Sequence, residues 1–212
     1  MRKYQILVFI IIVFSGILNA QKEVFFFQTN WGFNGQPEAF VKKAKKSGYD
    51  GVEIWAPKDS IKKIEISNIL NNYKMKVIFL CGSNSSLTFK NSLDEYEKYL
   101  KNTLELKPIA VNSHTGSDFY NYNQNLAFLK LADKLSNEYK IPVYHETHRG
   151  RFSYSMPETI KYLENNETLN LTLDISHWMV VHESLLDNRE EYLKKIIQRS
   201  NHIHARVGFE EG

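Results

Sequence analysis

The sequence predicts an α/β fold of the (β/α)8 TIM-barrel type in which seven of the eight strand–helix units are present. Short runs of β-branched and aromatic residues alternate with longer segments of helical periodicity, which is typical of βα units around a parallel sheet. Polar residues within several runs share one parity. A doubly wound sheet, covered by helices on both faces, would bury those polar groups, whereas a barrel collects them at its mouth.

Seven strands are expected, each bounded by residues typical of turns. They are predicted at 24–29, 51–55, 76–81, 109–114, 142–147, 170–175 and 202–207. The first strand is followed by the turn Asn30–Gly35, which contains neither the GxGxxG fingerprint nor a P-loop. No nucleotide-binding motif therefore accompanies the first βα unit.

Six helices are expected between the strands. They are predicted near 36–47, 59–72, 92–106, 123–139, 157–165 and 188–200. Pro37 and Pro157 suit the first turn of a helix, where a missing N–H costs nothing. Ser92 followed by Glu95 predicts a capping box at the start of the third helix.

The first twenty residues are typical of an export signal. Two basic residues precede an apolar run at 6–14, and the segment ends on small residues at Ala20. A membrane span needs about 20 continuous apolar residues, more than this run offers. We therefore expect a signal peptide over 1–20, a barrel domain over 21–212, and a periplasmic or secreted protein without a stable membrane anchor.

Charge and cysteine content limit the possible functions. Lys and Arg number 27 against 24 Asp and Glu, and the resulting net charge of +3 is too small to predict a nucleic-acid partner. Cys81 is the single cysteine, so it forms neither an intramolecular disulfide nor a CxxC zinc site. Any metal must therefore be held by His, Asp or Glu.

Polar residues of one parity are expected to line the interior of the barrel. They are Glu53, Asn112, His114, Tyr144, Glu146, His148, Asn170, Thr172, Asp174, His202, His204 and Arg206. Glu146, Asp174 and His204 suit one divalent ion (Mn²⁺, Mg²⁺, Co²⁺ or Zn²⁺), and His177 follows in a predicted loop. A single buried carboxylate more often caps a helix or pairs with a cation. His202 fits a core histidine as well as a ligand, and depth favours His204.

Five short segments, in this order, resemble the xylose-isomerase-like TIM barrels, a family that includes sugar phosphate isomerases/epimerases and zinc-dependent repair endonucleases. They are Gly48–Glu53, Val111–His114, His145–Thr147, Leu173–His177 and His202–His204. The resemblance implies that Glu146, Asp174 and His204 hold the ion together with a second Glu from strand 8, and that His177 contacts substrate. The sequence stops at Gly212, so we expect a barrel truncated before that strand, since complete barrels have about 250 residues.

The resemblance implies a divalent-metal-dependent sugar isomerase or epimerase that removes a proton next to a carbonyl through an enediolate. Glu146 and His177 are the expected catalytic residues. The expected substrate contacts are His114, Glu53, Arg149, Arg206, Trp31 and Trp178. Three alternatives stay open: a non-catalytic carbohydrate-binding barrel, an inosose-dehydratase-like lyase and a repair endonuclease, the last disfavoured by the low net charge. The alternative to a truncated barrel is a degenerate seven-strand barrel that closes imperfectly or pairs with another chain, and a homo-oligomer is a further expectation.

Overall fold

The computed structural model describes residues 23–206 and 208, and within them seven parallel strands form one sheet in chain order. The strands are β1 Phe27–Thr29, β2 Gly51–Trp55, β3 Lys76–Gly82, β4 Ala110–His114, β5 Val143–Glu146, β6 Leu171–Leu173 and β7 Ser200–Ile203. Each strand pairs with the next along the chain. This is the arrangement of a TIM barrel without its eighth unit, as the sequence predicts.

Helices connect the strands and cover the outside of the sheet. They are α1 Pro37–Lys46, α2 Ser60–Tyr73, α3 Phe89–Leu104, α4 Tyr122–Tyr139, α5 Met156–Asn165, α6 Ile175–Val181 and α7 Glu190–Ile197. Pro37 and Pro157 do occupy the first turns of α1 and α5. Among the described residues, no helix combines the length and the apolarity that a membrane crossing requires.

Two predictions about helices are wrong. The structure places Ser92 inside α3, which begins one turn earlier because Phe89 packs edge-on against Phe128 of α4. The capping box occurs instead at the start of α4, where Asn121 and Gln124 exchange hydrogen bonds at 3.0 Å. The segment after β6, predicted as a loop, forms α6.

The first and last strands also differ from their predicted ranges. β1 is confined to Phe27–Thr29, the residues that pair with β2. β7 spans Ser200–Ile203 rather than 202–207, because its ladder to β6 begins at Ser200. The last position of that predicted strand and the predicted signal peptide, 1–20, lie outside the described residues.

Side-chain parity separates an apolar outer face of the sheet from a polar interior. Val52, Ile54, Phe79 and Val111 belong to the buried core between the sheet and the helices. Glu53, which alternates with Val52 and Ile54, is buried outside that core. Burial of each large aliphatic or aromatic side chain stabilises the fold by roughly 1.5–3 kcal/mol, so the helix-covered face holds the sheet together and the interior is available for polar groups.

The sheet curls strongly enough to bring distant strands together. Glu53 of β2 contacts His202 of β7 at 2.9 Å, although these strands stand five positions apart in the sheet. Such a contact requires the interior faces of the two strands to meet. The polar residues of one parity therefore converge on a shared interior.

Candidate metal centre

Four polar side chains meet at the rim formed by the carboxyl ends of the last three strands. Glu146 ends β5, Asp174 follows β6, His177 lies in the first turn of α6 and His204 follows β7. All four are buried. Parallel strands present their carboxyl ends at one pole of a barrel, which is where barrel enzymes build their sites.

The separations within this group fit a coordination shell. His204 Nδ1 lies 3.5 Å from Glu146 Oε1 and 3.7 Å from Asp174 Oδ2. His177 Nε2 lies 3.8 Å from Asp174 Oδ2 and 4.0 Å from Glu146 Oε1. These distances exceed those of direct hydrogen bonds. With metal–ligand bonds of about 2.1 Å, neighbouring ligands lie about 3–4 Å apart.

Three buried side-chain atoms at the rim have no hydrogen-bond partner among the described residues. They are Asp174 Oδ2, His204 Nδ1 and His177 Nδ1. A buried polar atom without a partner costs free energy, so such atoms indicate a missing ligand. Two carboxylates and an imidazole suit a divalent cation, and the residues present therefore fit the ion that the sequence analysis predicts.

Glu146 is held so that one oxygen faces the group. Its Oε2 accepts hydrogen bonds from Asn112 Nδ2 at 2.7 Å and from His114 Nε2 at 2.8 Å. Burial raises the pKa of Glu146, but the hydrogen bonds and charges of His114 and His204 outweigh it and hold the pKa well below its usual range. Glu146 is therefore ionised at neutral pH.

Glu53 lies behind His204 rather than at the open mouth. Its Oε1 accepts from Asn112 Nδ2 at 2.9 Å and its Oε2 accepts from His202 Nε2 at 2.9 Å. His204 Nε2 lies 3.0 Å from Oε1 and 3.1 Å from Oε2. Burial raises the pKa of Glu53, but His202 and His204 outweigh it and lower the pKa to about 2. The structure thus gives Glu53 protein partners, where the sequence predicted a substrate contact.

His204 is surrounded by acidic groups on both sides. Burial lowers its pKa, but Asp174, Glu146 and Glu53 together outweigh burial and raise the pKa far above its usual value. A cation at this position, whether a proton or a metal ion, is therefore strongly favoured.

Three histidine rings line the mouth above Glu146. The centroid of the His148 ring lies 4.5 Å from the ring centroid of His114 and 3.9 Å from that of His177. Its Nδ1 donates to Arg149 O at 2.5 Å, which leaves Nε2 as an acceptor. Burial, followed by the charges of His114 and His177, lowers the pKa of His148 to about 4. His148 and Asn112 were not among the site residues expected from the sequence, although both have the inward parity.

The tryptophans divide into two groups. Trp31 is 45% exposed with its ring 5.4 Å from that of His204, and Trp55 is 44% exposed with its ring 5.1 Å from that of His114. Trp178 is 0% exposed within the core beneath α6, and its Nε1 donates to Ser153 O at 2.9 Å. The structure therefore corrects the expectation that Trp178 lies at the mouth.

The two arginines expected to contact substrate lie at the surface. Arg149 is exposed in the turn after β5. The side chain of Arg206 is 43% exposed, and its Nη1 lies 3.6 Å from Asp174 Oδ2. Of the two, Arg206 lies beside the ligand group.

The fold and this rim define a parallel (β/α) barrel with an acidic and histidine-rich centre at the carboxyl ends of its strands. Residues 41–207 match the sequence model of the xylose isomerase-like TIM barrels, and the chain belongs to that family. A search of curated proteins finds no significant match.

Solved structures with the same fold include several enzymes. A 3-keto-D-glucoside 4-epimerase from E. coli is 14% identical, with a TM-score of 0.65 over 86% of this chain and 78% of the epimerase. A xylose isomerase-like protein from Mycobacterium smegmatis, in complex with magnesium, is 12% identical, with a TM-score of 0.62 over 86% and 75%. A probable 3-DHS dehydratase from Bacillus anthracis is 14% identical, with a TM-score of 0.62 over 85% and 72%. Likeness at these identities shows the fold alone.

Proposed function

We propose that the protein is a divalent-metal-dependent sugar isomerase or epimerase that removes a proton next to a carbonyl group. The observation that carries this proposal is the pair of buried atoms Asp174 Oδ2 and His204 Nδ1, which lie 3.7 Å apart beside Glu146 Oε1 and have no hydrogen-bond partner among the described residues. The epimerase and the magnesium complex among the structural neighbours support the same interpretation.

Glu146, Asp174 and His204 would hold the ion. When bound, a divalent ion supplies Lewis-acid polarisation of a carbonyl and its neighbouring hydroxyl, and it stabilises the negative charge that forms on oxygen. His177 lies within 4.0 Å of both carboxylates and hydrogen-bonds a substrate oxygen.

Glu146 accepts the proton from the carbon next to the carbonyl, because its low pKa keeps it ionised. The electron pair of the broken C–H bond moves into the adjacent carbonyl and gives an enediolate. Delivery of a proton by a second acid to the opposite face of the same carbon completes an epimerisation. Return of the proton from Glu146 to the neighbouring carbon, the former carbonyl carbon, completes an isomerisation. Asn112 and His114 hold the carboxylate in place through Oε2 during both steps.

The substrate enters between half-exposed aromatic rings. Trp31 and Trp55 present ring faces of the kind that pack on the apolar face of a sugar. Arg206, whose Nη1 lies 3.6 Å from Asp174 Oδ2, and the exposed Arg149 would meet an anionic group on the substrate.

Dehydration is the second candidate reaction, favoured by the dehydratase among the structural neighbours. It begins with the same removal of a proton by Glu146. It differs in that a hydroxide then leaves from the next carbon and a double bond forms.

Deuterium exchange tests the proposal before the sugar is identified. The purified full chain is incubated in D2O with Mn²⁺, Mg²⁺ or Co²⁺ and a panel of ketoses and keto-glycosides, and NMR follows deuterium at the carbon next to the carbonyl. We expect metal-dependent exchange with at least one sugar, and none in Glu146→Gln. Exchange that survives in Glu146→Gln overturns the role of Glu146. Sugar binding without exchange identifies a carbohydrate-binding barrel, and an unsaturated product identifies a dehydratase.

A further inference from the structure

His204 faces carboxylates with both ring nitrogens, and the two sides differ. On one side, Nε2 lies 3.0 and 3.1 Å from the oxygens of Glu53. On the other, Nδ1 lies 3.5 Å from Glu146 and 3.7 Å from Asp174. An ionised carboxylate only accepts hydrogen bonds, so Nε2 carries the proton that is donated to Glu53. A divalent ion would replace the proton on Nδ1, and the ring would then keep one proton on Nε2 and offer the lone pair of Nδ1 to the ion.

The side of Glu53 has the geometry of a complete hydrogen-bond cluster rather than of a second ion site. The two carboxylate oxygens of Glu53 accept hydrogen bonds from Asn112, His202 and His204, all at 2.9–3.1 Å. Two buried atoms without partners among the described residues, Asp174 Oδ2 and His204 Nδ1, face each other on the Nδ1 side instead. The ion therefore belongs on the Nδ1 side, and Glu53 supports the ring from behind.

Asn112 extends this support to Glu146. Its Nδ2 donates to Glu53 Oε1 at 2.9 Å and to Glu146 Oε2 at 2.7 Å. One amide thus joins two buried carboxylates that would otherwise repel each other. Because Oε2 of Glu146 is occupied by this amide and by His114, Oε1 is the oxygen left to face His204.

We propose that Glu53 and Asn112 are a positioning pair that orients His204 Nδ1 and Glu146 Oε1 toward the divalent ion. Metal-ligating histidines generally donate their second nitrogen to a carboxylate or carbonyl, which fixes the tautomer and the ring. Both residues of the pair are buried, and each acts through its hydrogen bonds to the proposed ligands. This inference rests on the proposed function, since it assigns the residues that prepare the same site.

Metal affinity tests the pair directly. Mn²⁺ is titrated into the full chain, and the free ion is measured by EPR for the wild type and for Glu53→Gln. Gln offers one oxygen to the three donors that Glu53 now accepts, so one donor loses its partner. Loss of such a supporting contact weakens metal binding by about 10–100-fold, and we expect a change of that size.

The matched control is His202→Asn. His202 contacts the same carboxylate but none of the proposed ligands by hydrogen bond, and its removal leaves Glu53 charged and bonded to His204 and Asn112. We expect its Mn²⁺ affinity to stay within about threefold of the wild type. Equal losses in both variants would show a general structural effect and overturn the positioning role.

A spectroscopic measurement separates positioning from stability. In the Zn²⁺-loaded wild type, the Nε2–H proton of His204 should give a downfield, slowly exchanging NMR signal, because it is buried and bonded to a carboxylate. The signal should move upfield or broaden in Glu53→Gln and persist in His202→Asn. An unchanged signal in Glu53→Gln overturns the assignment of Nε2 as the donor.

Asn112→Ser provides a second variant should Glu53→Gln fail to fold. It removes the amide bridge but leaves Glu53 beside His204, so Mn²⁺ affinity should fall by about tenfold or more while the Nε2–H signal persists. Unchanged affinity overturns the role of Asn112. If the folded wild type binds no divalent ion, the proposed function fails together with this inference. If the wild type binds and Glu53→Gln binds equally well, only the inference fails.

Discussion

Asp174 divides its carboxylate between a helix and His204. Its Oδ1 accepts from Ser176 N at 3.1 Å and so caps α6, while Oδ2 lies 3.7 Å from His204 Nδ1 without a hydrogen-bond partner among the described residues. The helix cap fixes the direction of the carboxylate before any ligand arrives. The same side chain thus serves both stability and the candidate metal centre.

Substitutions of Asp174 should separate these two roles. Asn caps helices about as well as Asp, so Asp174→Asn should retain its free energy of unfolding within about 0.5 kcal/mol and lose Mn²⁺ binding. Asp174→Ala should lose Mn²⁺ binding and about 1 kcal/mol of stability, because the cap is lost as well. Urea denaturation and EPR titration measure the two quantities. Full Mn²⁺ affinity in Asp174→Asn would contradict its role as a ligand.

The free energy of unfolding should decrease in acid because His145 is buried in its neutral form. Burial lowers the pKa of this residue to about 3, so the folded protein keeps it neutral. The unfolded chain binds a proton there below a pKa of about 6.5, and the stability contributed by His145 is therefore present above that pH and lost as the pH falls toward 3. The expected slope is about 1.4 kcal/mol per pH unit.

His145→Gln isolates this contribution. His145 packs against Phe152 and contacts Thr115 Oγ1 at 2.6 Å on the outer side of β5. We expect the free energy of unfolding of the variant to be lower at pH 7 and to change less with pH. Between about pH 6 and pH 4 its slope should be smaller by about 1.4 kcal/mol per pH unit, which corresponds to about one proton. Urea unfolding at intervals of about half a pH unit provides the comparison. Parallel curves for the two proteins would refute the assignment.

The tryptophans should respond differently to truncation. Trp178→Ala removes a fully buried ring from the core and should cost about 3–5 kcal/mol of stability. Trp31→Ala removes a half-exposed ring at the mouth, so it should change stability much less and raise KM for the sugar that exchanges deuterium. A large loss of stability in Trp31→Ala with unchanged KM would assign that ring to packing.

Export is tested by the mature N-terminus. If residues 1–20 are a signal peptide, the secreted or periplasmic protein begins at Gln21. Mass spectrometry of the N-terminal peptide, isolated from the producing cells, reads this directly. An intact Met1 in the exported fraction would contradict cleavage.

The architecture could be predicted because it follows from patterns within short segments of the sequence. Each βα unit is encoded by its own periodicity, and parity along a strand is independent of what surrounds it. For the same reason Glu146, Asp174 and His204 could be selected as candidate ligands: each falls at a strand end, and parallel strands end at one pole. The boundaries of β1 and β7 were wrong because only pairing with a neighbour determines where a strand begins.

The tertiary structure alone determines which residues from distant segments of the sequence contact one another in the site. Glu53 and His204 are 151 positions apart, and only the curl of the sheet shows that one supports the other. The hydrogen bonds by which Asn112 joins Glu53 to Glu146, and the contacts of the His148 ring with His114 and His177, likewise connect different strands and do not follow from parity alone. Trp178 follows a strand end in the sequence, yet the turn into α6 directs its ring into the core. The sequence by itself determined which chemical groups reach the rim, because alternation is local. The distances between these groups, and their partners, depend on how the sheet curls.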